Sequence, residues 1–285
     1  MRMGRRVARL SAMAGLTIGT LSCGSPPGGP SPPPPPPTNN PPVIEGIAAS
    51  VSRVEVDGTV TVTATIRDAE TPVALLQYAW KADAGTFEGQ GASVTWRAPR
   101  EVAAPANYTI TLTVTEVYDA GARQNVVSAN GPTVRVHDSK KELGELGMSF
   151  LGDFANSSVS PSSCIRDFSV NCSGREEEKR DIEDNRRRYQ ITGWTLRLSS
   201  VTLNSSVSRG DVSVACSFTS RIIHCDPYDP GDPETWGCVV GNVGTVTGDC
   251  VMTGVYEQDR WWLCTSSMIQ RRNAPPGFQS FMRPR

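Results

Sequence analysis

The stretch "ANYTITLTVTE", residues 106–116, alternates between apolar and polar side chains. Its apolar positions are Tyr108, Ile110, Leu112 and Val114, with threonines between most of them. Successive side chains of an extended chain point to opposite faces, so one face of this stretch is apolar and the other polar. The stretch therefore predicts a half-buried β-strand.

The same period of two returns in Thr59–Ile66 and around Val134 and Val136. Turn-forming pairs such as Asp57-Gly58 separate these runs, and no helical pattern interrupts them. Several short strands with regular turns in roughly 100 residues are typical of an antiparallel β-sandwich. Residues 43–138 are therefore predicted to form such a sandwich.

Five segments of this region resemble a bacterial immunoglobulin-like domain of the polycystic-kidney-disease (PKD) type. They are "NPPVI" (residues 40–44), "ATIRDAE" (64–70), "LQYAWKADAGTF" (76–87), "VTWRAP" (94–99) and "ANYTITLTVTE" (106–116). The resemblance implies that Trp80 is the buried tryptophan of the central strand and that Tyr108 forms a tyrosine corner. It also implies a spacer or adhesive module.

Two carboxylates, Asp68 and Glu70, lie between predicted strands of this sandwich. In cadherin-like sandwiches such a corner binds calcium. Calcium takes six to eight oxygen ligands, and only two carboxylates are in view here. We therefore favour a polar turn over a calcium site.

From Lys140 onward the pattern changes to helical spacing and then back to strands. Helices are predicted over residues 140–156 and 174–189, and antiparallel strands over 194–203, 212–223, 245–256 and 261–266. Acid-to-base pairs at i,i+4 in the second helix, such as Glu183–Arg187, indicate that the run Arg186-Arg187-Arg188 is a solvated helix face. Helices followed by an antiparallel sheet indicate an α+β domain, assigned to residues 139–270 with a tail at 271–285.

The segment "GVYEQDRWWLCTSS", residues 254–267, is similar to the closing hairpin of the nuclear transport factor two-like fold. That resemblance implies a cone made of helices and a bent sheet. The family includes enzymes such as ketosteroid isomerases and many non-catalytic members. No position of this sequence matches the catalytic acid and tyrosine of the isomerases, so no catalytic residue is assigned.

The first 42 residues predict export and a lipid anchor. Arginines 2, 5, 6 and 9 precede a short apolar run, Leu10–Leu21, which is typical of a signal peptide and too short to span a bilayer. Residues 20–24, "TLSCG", resemble a bacterial lipobox, which implies cleavage after residue 22 and acylation, including palmitate, of Cys23. The prolines that follow predict a stalk over residues 23–42, and its residues from 24 on would reach on the order of 60 Å as polyproline II. An ordinary signal peptide with Cys23 in a disulfide is the alternative.

Seven of the eight cysteines follow the predicted sandwich, and in an exported protein they are disulfide candidates. They are Cys164, Cys172, Cys216, Cys225, Cys238, Cys250 and Cys264. With Cys23 lipidated, the seven make three bridges and leave one thiol; otherwise the eight can pair evenly. We expect Cys225–Cys238 first, because these residues close a proline-rich loop between two strands. Cys264 is expected next, with Cys164 or Cys172, because it shares a strand face with a presumed core residue, Trp262.

The loop "CDPYDPGDPETWGC", residues 225–238, carries closely spaced acids. The weak calcium candidates are Asp226, Asp229, Asp232 and Glu234. Their spacing is not that of an EF-hand, and the three prolines already account for a turn-rich loop. We therefore favour turn chemistry and assign no metal.

The composition excludes some classes of function but does not indicate a ligand. The chain has a net charge of −1 and no basic field for nucleic acid. It contains no catalytic or cofactor motif, and adjacent His224 and Cys225 would point to opposite faces of a strand. We expect a non-catalytic lipoprotein of the bacterial cell envelope, at the outer membrane, that binds an envelope or extracellular protein or carbohydrate. The alternative is an exported enzyme that uses a pocket of the cone.

Overall fold

The computed structural model describes residues 39–103, 105–230, 235–268, 275, 277, 278 and 281. The predicted signal peptide, Cys23 and nearly all of the stalk lie outside these residues, as does most of the predicted tail. No helix in the described ranges is long and apolar enough to cross a bilayer. The fold is mostly β, with several antiparallel sheets, one of them curled into a half-barrel.

The first eight strands form two four-stranded sheets. They are β1 (Val43–Ala49), β2 (Arg53–Glu55), β3 (Thr59–Arg67), β4 (Gln77–Lys81), β5 (Thr86–Glu88), β6 (Ser93–Arg97), β7 (Ala106–Tyr118) and β8 (Arg123–His137). The sheet orders are β1-β3-β6-β5 and β2-β8-β7-β4, antiparallel throughout except for the parallel pair β2–β8. Buried side chains from both sheets, including Val62, Trp96, Ile110 and Val134, share one core. The two sheets therefore stack face to face, and the alternation predicted for β3 and β7 is confirmed.

The buried tryptophan of this core is Trp96 on β6, and the expectation that Trp80 has this role is wrong. Trp96 is fully buried, and its indole N–H donates to the carbonyl of Ala84 at 3.1 Å. Trp80 lies on β4, at the edge of its sheet, and is only partly buried. Strand order depends on pairings that are distant in sequence, so the local pattern around Trp80 could not reveal an edge position.

The carboxylates between β3 and β4 form a polar turn. Asp68 Oδ1 accepts the backbone N–H groups of Glu70 at 2.9 Å and Thr71 at 2.7 Å. Glu70 accepts a hydrogen bond from the side-chain amide of Asn40 at 2.7 Å. A carboxylate that bonds the backbone two and three residues ahead closes the turn by itself.

The second half consists of helices followed by a long sheet. The helices are α1 (Ser139–Ala155), α2 (Pro161–Cys164) and α3 (Arg175–Arg188), and the strands are β9 (Tyr189–Leu203), β10 (Arg209–Ile222), β11 (Val243–Glu257) and β12 (Arg260–Met268). The sheet order is β12-β11-β10-β9, all antiparallel. Helices and sheet share a core rich in aromatic side chains, among them Phe150, Phe154, Phe168 and Phe218.

Helix α1 begins at a side-chain cap and lies very close to the sheet. The Asp138 carboxylate accepts the N–H of Lys141 at 3.1 Å, which satisfies one of the unpaired donors of the first turn. Two helix glycines provide the close approach. A Cβ at Gly144 would lie 2.9 Å from Leu198 Cδ2, and one at Gly147 would lie 3.0 Å from Val212 Cγ1.

Two glycine substitutions test this packing in opposite directions. In Gly210→Ala, the new Cβ on β10 would lie 2.7 Å from the Thr202 carbonyl oxygen and 2.8 Å from Leu143 Cδ2. We expect a loss of about 1–3 kcal/mol in the free energy of unfolding, because the Thr202 carbonyl belongs to paired strand backbone and Leu143 is fully buried. In the control Gly152→Ala, inside α1, nothing lies within 4 Å of the new Cβ. There we expect a gain of about 0.5–1 kcal/mol from helix propensity. Urea unfolding measures both, and a loss in Gly152→Ala would contradict the packing described here.

Candidate functional site

Three cysteine pairs in the second half lie at disulfide distance. They are Cys172–Cys264, Cys216–Cys250 and Cys225–Cys238, with Cα–Cα distances of 5.2, 6.2 and 5.8 Å. These distances lie within the range that a disulfide spans. Cys164 is buried and unbridged. The expectation of disulfides is confirmed, and Cys225–Cys238 is the pair that loop closure favoured.

Cys264 pairs with one of its two expected partners, but the argument from Trp262 is wrong. The core tryptophan of β12 is Trp261, whereas Trp262 is only partly buried and lies beneath the guanidinium of Arg260. Thr253 pairs with Thr265, and Gly254 pairs with Leu263, so Cys264 is an extra residue of a β-bulge. A bulge redirects the side chain that it carries. Here the bulged residue forms the bridge to Cys172, in the segment before α3.

The connection between β10 and β11 exposes most of its apolar side chains. We call its described residues, 223–230 and 235–243, the rim. Six of the fifteen large hydrophobic side chains that are exposed in the described ranges belong to it: Ile223, Tyr228, Trp236, Val239, Val240 and Val243. Exposed apolar side chains concentrated in one segment are typical of a contact site.

The rim is held in place although its side chains are exposed. The Cys225–Cys238 bridge joins its two described segments, and Trp236 donates its indole N–H to the carbonyl of Asp229 at 3.2 Å. The N–H of Asn242 donates to the carbonyl of Val239 at 3.1 Å and closes a turn. A surface fixed in this way loses little conformational entropy when it binds a partner.

Asp226 attaches the rim to helix α3. Its carboxylate contacts Arg187 Nη1 at 2.8 Å and Arg188 Nη2 at 2.6 Å. The hydrogen bond from Arg187, and next the nearby charge of Arg188, keep the pKa of Asp226 below its ordinary value against the effect of burial. Asp226 is therefore committed to an ion-pair cluster.

Two of the four weak calcium candidates in the loop already have other partners. Asp226 is engaged by two arginines, and Asp229 contributes its backbone groups to Thr235 and Trp236. Asp232 and Glu234 lie outside the described residues. Within the described ranges, no group of three or more His, Cys, Asp or Glu side chains is arranged to hold a metal ion.

The arginine run of α3 is not the solvated face that the sequence predicted. The Arg186 guanidinium donates to the carbonyls of Asp153, Phe154 and Asn156 at 2.9–3.1 Å and also to that of Val159. It thereby caps the C-terminal end of α1. Arg187 pairs with Asp184 and Asp226, whereas Glu183 pairs with Lys179. Counting i,i+4 pairs missed the two partners of Arg187, which lie at i,i+3 and on the rim. An acid-to-base i,i+4 pair of the predicted kind does form between Asp184 and Arg188, at 3.3 Å.

The interior of the second half is filled by side chains. Phe150 packs edge-on against Phe168, with ring centroids 5.0 Å apart, and Phe154 packs edge-on against Phe218 at 5.8 Å. One surface hollow beside the sheet, of about 440 Å³, is lined by Arg186 and Tyr189, and Arg186 already caps α1. Convergent titratable groups around a deep pocket would favour an enzyme. The hollow at Arg186 does not have this arrangement, because its guanidinium is committed to the end of α1.

Helix α3 buries a carboxyl group that no sequence pattern indicated. Glu178, Ile182 and Asn185 form its buried stripe, and Glu178 accepts a hydrogen bond from Ser266 Oγ on β12. Burial raises the pKa of Glu178 from 4.5 to about 7, although the bond from Ser266 lowers it. The native state therefore binds this proton more tightly than the unfolded chain does.

Glu178 makes stability depend on pH in a defined direction. Below pH 4.5 both states are protonated, and as the pH rises to about 7 the unfolded state ionises first. The free energy of unfolding should therefore fall by about 3 kcal/mol across this window. Glu178→Gln should remove that fall, so that the variant exceeds the wild type at pH 8 and matches it at pH 4. Denaturant unfolding at several pH values measures the effect, and the exposed neighbour in Glu177→Gln is the control.

A second polar cluster, which we call the joint, connects the first two sheets to the second half. At its centre His137, the last residue of β8, is fully buried. Its Nδ1 lies 3.0 Å from both carboxylate oxygens of Glu142 on α1, and its Nε2 lies 3.0 Å from the Tyr256 hydroxyl on β11. The Tyr256 hydroxyl also donates to Asp259 Oδ1 at 2.7 Å.

Two arginines complete the joint. Arg53 on β2 lies 3.6 Å from the centroid of the Tyr256 ring and donates to Glu55 at 3.1 Å and Ser139 at 3.0 Å. Arg135 on β8 contacts Asp259 Oδ2 at 2.6 Å. Burial, and next the hydrogen bond to Asp259, raise the pKa of the Tyr256 hydroxyl above its ordinary value. No sequence pattern singled out His137, because Tyr256, which contacts its Nε2, lies 119 residues away in the chain.

Comparisons with known proteins give no family. No protein-family model matches the chain, and no curated protein matches it. Among solved structures, it is similar to the intermembrane-space region of the chloroplast protein ARC6, at 10% identity over 44% of this chain and 95% of that one, with a TM-score of 0.32. It is also similar to the N-terminal Ig1-2 module of the Drosophila receptor protein tyrosine phosphatase DLAR, at 10% identity over 80% of this chain and 96% of that one, with a TM-score of 0.24. Scores this low carry no argument about function.

Proposed function

We propose that this protein is a lipid-anchored protein of the bacterial cell envelope that binds a partner protein through its rim. In this proposal the first two sheets are an Ig-like domain of the PKD type that serves as a spacer. The second half is a cone of the nuclear transport factor two-like kind, and its filled interior acts as a scaffold. The single observation that carries the proposal is the clustering of exposed apolar side chains on the rim.

The location rests on the N-terminal sequence and on the disulfides. A basic head, a short apolar run, Cys23 and a proline stalk are the parts of an exported, acylated protein. Three disulfides and one buried thiol among the later cysteines support an oxidising compartment. The three bridges use six of the later cysteines, so none of them requires Cys23.

The chemistry of the rim favours a cationic protein segment as its partner. Residues 225–243 contain three aspartates, one glutamate and no lysine or arginine, and of these acids Asp226 is already paired with Arg187 and Arg188 of α3. Tyr228 and Trp236 are exposed on the rim, and aromatic faces attract lysine and arginine side chains. The aliphatic side chains of Val239 and Val240 add an apolar contact. A segment with alternating basic and apolar residues satisfies both requirements.

The anchor is tested by replacing the acylated residue. Cys23→Ser should move the protein from the detergent phase to the aqueous phase in detergent phase separation of cell lysates. A single acyl-modified cysteine is the only membrane attachment that the sequence suggests, so its removal should abolish partitioning. A Cys164→Ser variant, which removes a buried thiol instead, should partition like the wild type. Unchanged partitioning of Cys23→Ser would contradict the anchor.

The rim is tested with two tryptophans of equal exposure. Trp236 on the rim and Trp194 on β9 are each 46% exposed. A 12-residue peptide of alternating arginine and leucine should bind the full chain, and Trp236→Ala should weaken that binding at least fivefold. Trp194→Ala should change it less than twofold. Titration calorimetry measures both, with a peptide of alternating glutamate and leucine as the control. Equal binding of the two peptides, or equal losses in the two variants, would contradict the proposal.

A further inference from the structure

We propose that the surface beneath the rim is a binding site for a peptide segment in which a glycine is followed by two aromatic residues, one and four positions later. Gly277, Phe278 and Phe281 of the chain itself occupy this site in the structure. A segment of the same kind, supplied by another molecule, binds there once these residues are removed. This ligand differs from the partner proposed for the rim, so the two proposals can fail separately.

Three neighbouring strands and the inner side of the rim form this site, which we call the tail site. The residues that lie against Gly277, Phe278 or Phe281 are Tyr189 on β9, Phe218 and Ile222 on β10, Gly244 on β11, and Gly237 and Cys238 of the rim. Gly277, Phe278 and Phe281 follow β12 in the chain and belong to no helix or strand. The two rings therefore reach the site as side chains packed onto the sheet and not as part of it.

Tyr189 is the main contact of the tail site. The Phe278 ring stacks on Tyr189, with centroids 5.6 Å apart, and the Phe281 ring meets the same tyrosine edge-on at 5.2 Å. Phe281 also lies 6.0 Å from the ring of Phe218. The Tyr189 hydroxyl donates to the carbonyl of Gly277 at 3.1 Å. Aromatic pairs contribute free energy beyond the burial of their area, so one tyrosine recognises both rings and a backbone carbonyl.

Two glycines, one on each side of the contact, make the fit possible. A Cβ at Gly244 on the wall would lie 2.6 Å from Phe278 Cε2. A Cβ at Gly277 would lie 2.8 Å from the carbonyl oxygen of Gly237, and Gly277 has a φ of +81°, which favours glycine. The wall therefore has a slot for one ring, and the ligand needs a glycine directly before that ring.

The walls of the tail site are fixed by contacts that do not involve the tail. The pairing of β10 with β11 continues without a bulge past Phe218 and Gly244. The Cys216–Cys250 bridge joins the same two strands, and the rim is closed by its own disulfide. The site should therefore keep its shape when the tail leaves it, and a preformed site loses little conformational entropy when it binds a ligand.

The tail leaves one polar group beside the site without a partner. Ser220 on β10 pairs with Gly244, against which Phe278 lies, and Ser220 is fully buried. Among the described residues, its Oγ has no hydrogen-bond partner. A buried hydroxyl without a partner is unfavourable. A segment with a hydrogen-bonding group beside the first ring would satisfy this atom, so the chain's own residues are not the tightest possible ligand.

The site is tested by emptying it in the full chain. The double variant Phe278→Ala/Phe281→Ala should bind a peptide of residues 275–285, PPGFQSFMRPR, at one peptide per chain. The wild type should bind it at least about tenfold more weakly, because its own tethered residues compete at a high effective concentration. Titration calorimetry measures both.

The control is the same peptide with both phenylalanines replaced by alanine, which keeps its charges and should not bind. Equal binding of the two peptides to the double variant, or no binding of either, would overturn the proposal. A double variant that stays unfolded with the peptide present would overturn it too, because the walls would then depend on the tail.

The slot for the first ring is tested by a wall variant in the same background. Adding Gly244→Ala to the double variant should weaken binding of the peptide at least about tenfold, because the new Cβ occupies the slot. Gly193→Ala on β9 is the control, since the nearest atom to its Cβ lies at 3.9 Å, and it should change binding less than about twofold. Equal binding by the two variants would show that the ring does not sit at Gly244.

A rim variant separates the tail site from the outer face of the rim. Trp236 is exposed on the rim, so Trp236→Ala in the double variant should change binding of the peptide less than about twofold. Hydrogen exchange gives the position directly. The amide of Ile222 donates to the carbonyl of Asn242 at 2.9 Å, and it should exchange more slowly when the peptide is bound. A loss of binding in Trp236→Ala with unchanged exchange at Ile222 would place the peptide on the rim and contradict the tail site.

Discussion

The contact of Tyr256 with Arg53 and His137 sets the relation between the two halves of the protein. Strand β8 ends at His137 and α1 begins at Ser139, so only Asp138 separates a strand of one half from a helix of the other. A one-residue connection cannot fix an angle by itself, because rotation about two backbone bonds remains. The Tyr256 ring supplies the second point of attachment, and the partly buried charged side chains around it pair with specific partners. Together they define one geometry.

Local sequence patterns predicted the helices and strands, whereas contacts between residues distant in sequence determined which of their side chains are buried. The alternation of β7 and the helical spacing of α1 could be read from neighbouring residues, and both elements form as expected. Strand β9 begins at Tyr189, five residues before the predicted start at residue 194, because it pairs with β10 as far as Ile222. The buried tryptophan is Trp96 and not Trp80 for a similar reason. A residue's position within a sheet depends on strands that are far away in the sequence. A local periodic pattern does not show which strands those are.

The same limit applies to the candidate sites. The bridge Cys225–Cys238 could be predicted because both residues delimit one loop, and loop ends between paired strands lie close together. The exposure of Trp236 could not be predicted, since tryptophan side chains are on average highly buried. Glu178 and His137 were missed because each owes its environment to a residue roughly 90 to 120 positions away, Ser266 and Tyr256 respectively. Charged residues in a helix such as α3 ordinarily face solvent, and only the packed structure shows which one does not.

Strand β11 connects the rim to the joint. It begins at Val243 on the rim and ends at Glu257, next to Tyr256 in the joint. Fifteen residues at about 3.4 Å each place these two ends on the order of 45 Å apart. Strand β11 pairs along its length with β10, so the hairpin behaves as a stiff arm rather than a linker. A small rotation of the arm about the joint therefore becomes a large displacement of the rim. The ion pairs of the joint therefore bear on the position of a surface that lies at the other end of this hairpin.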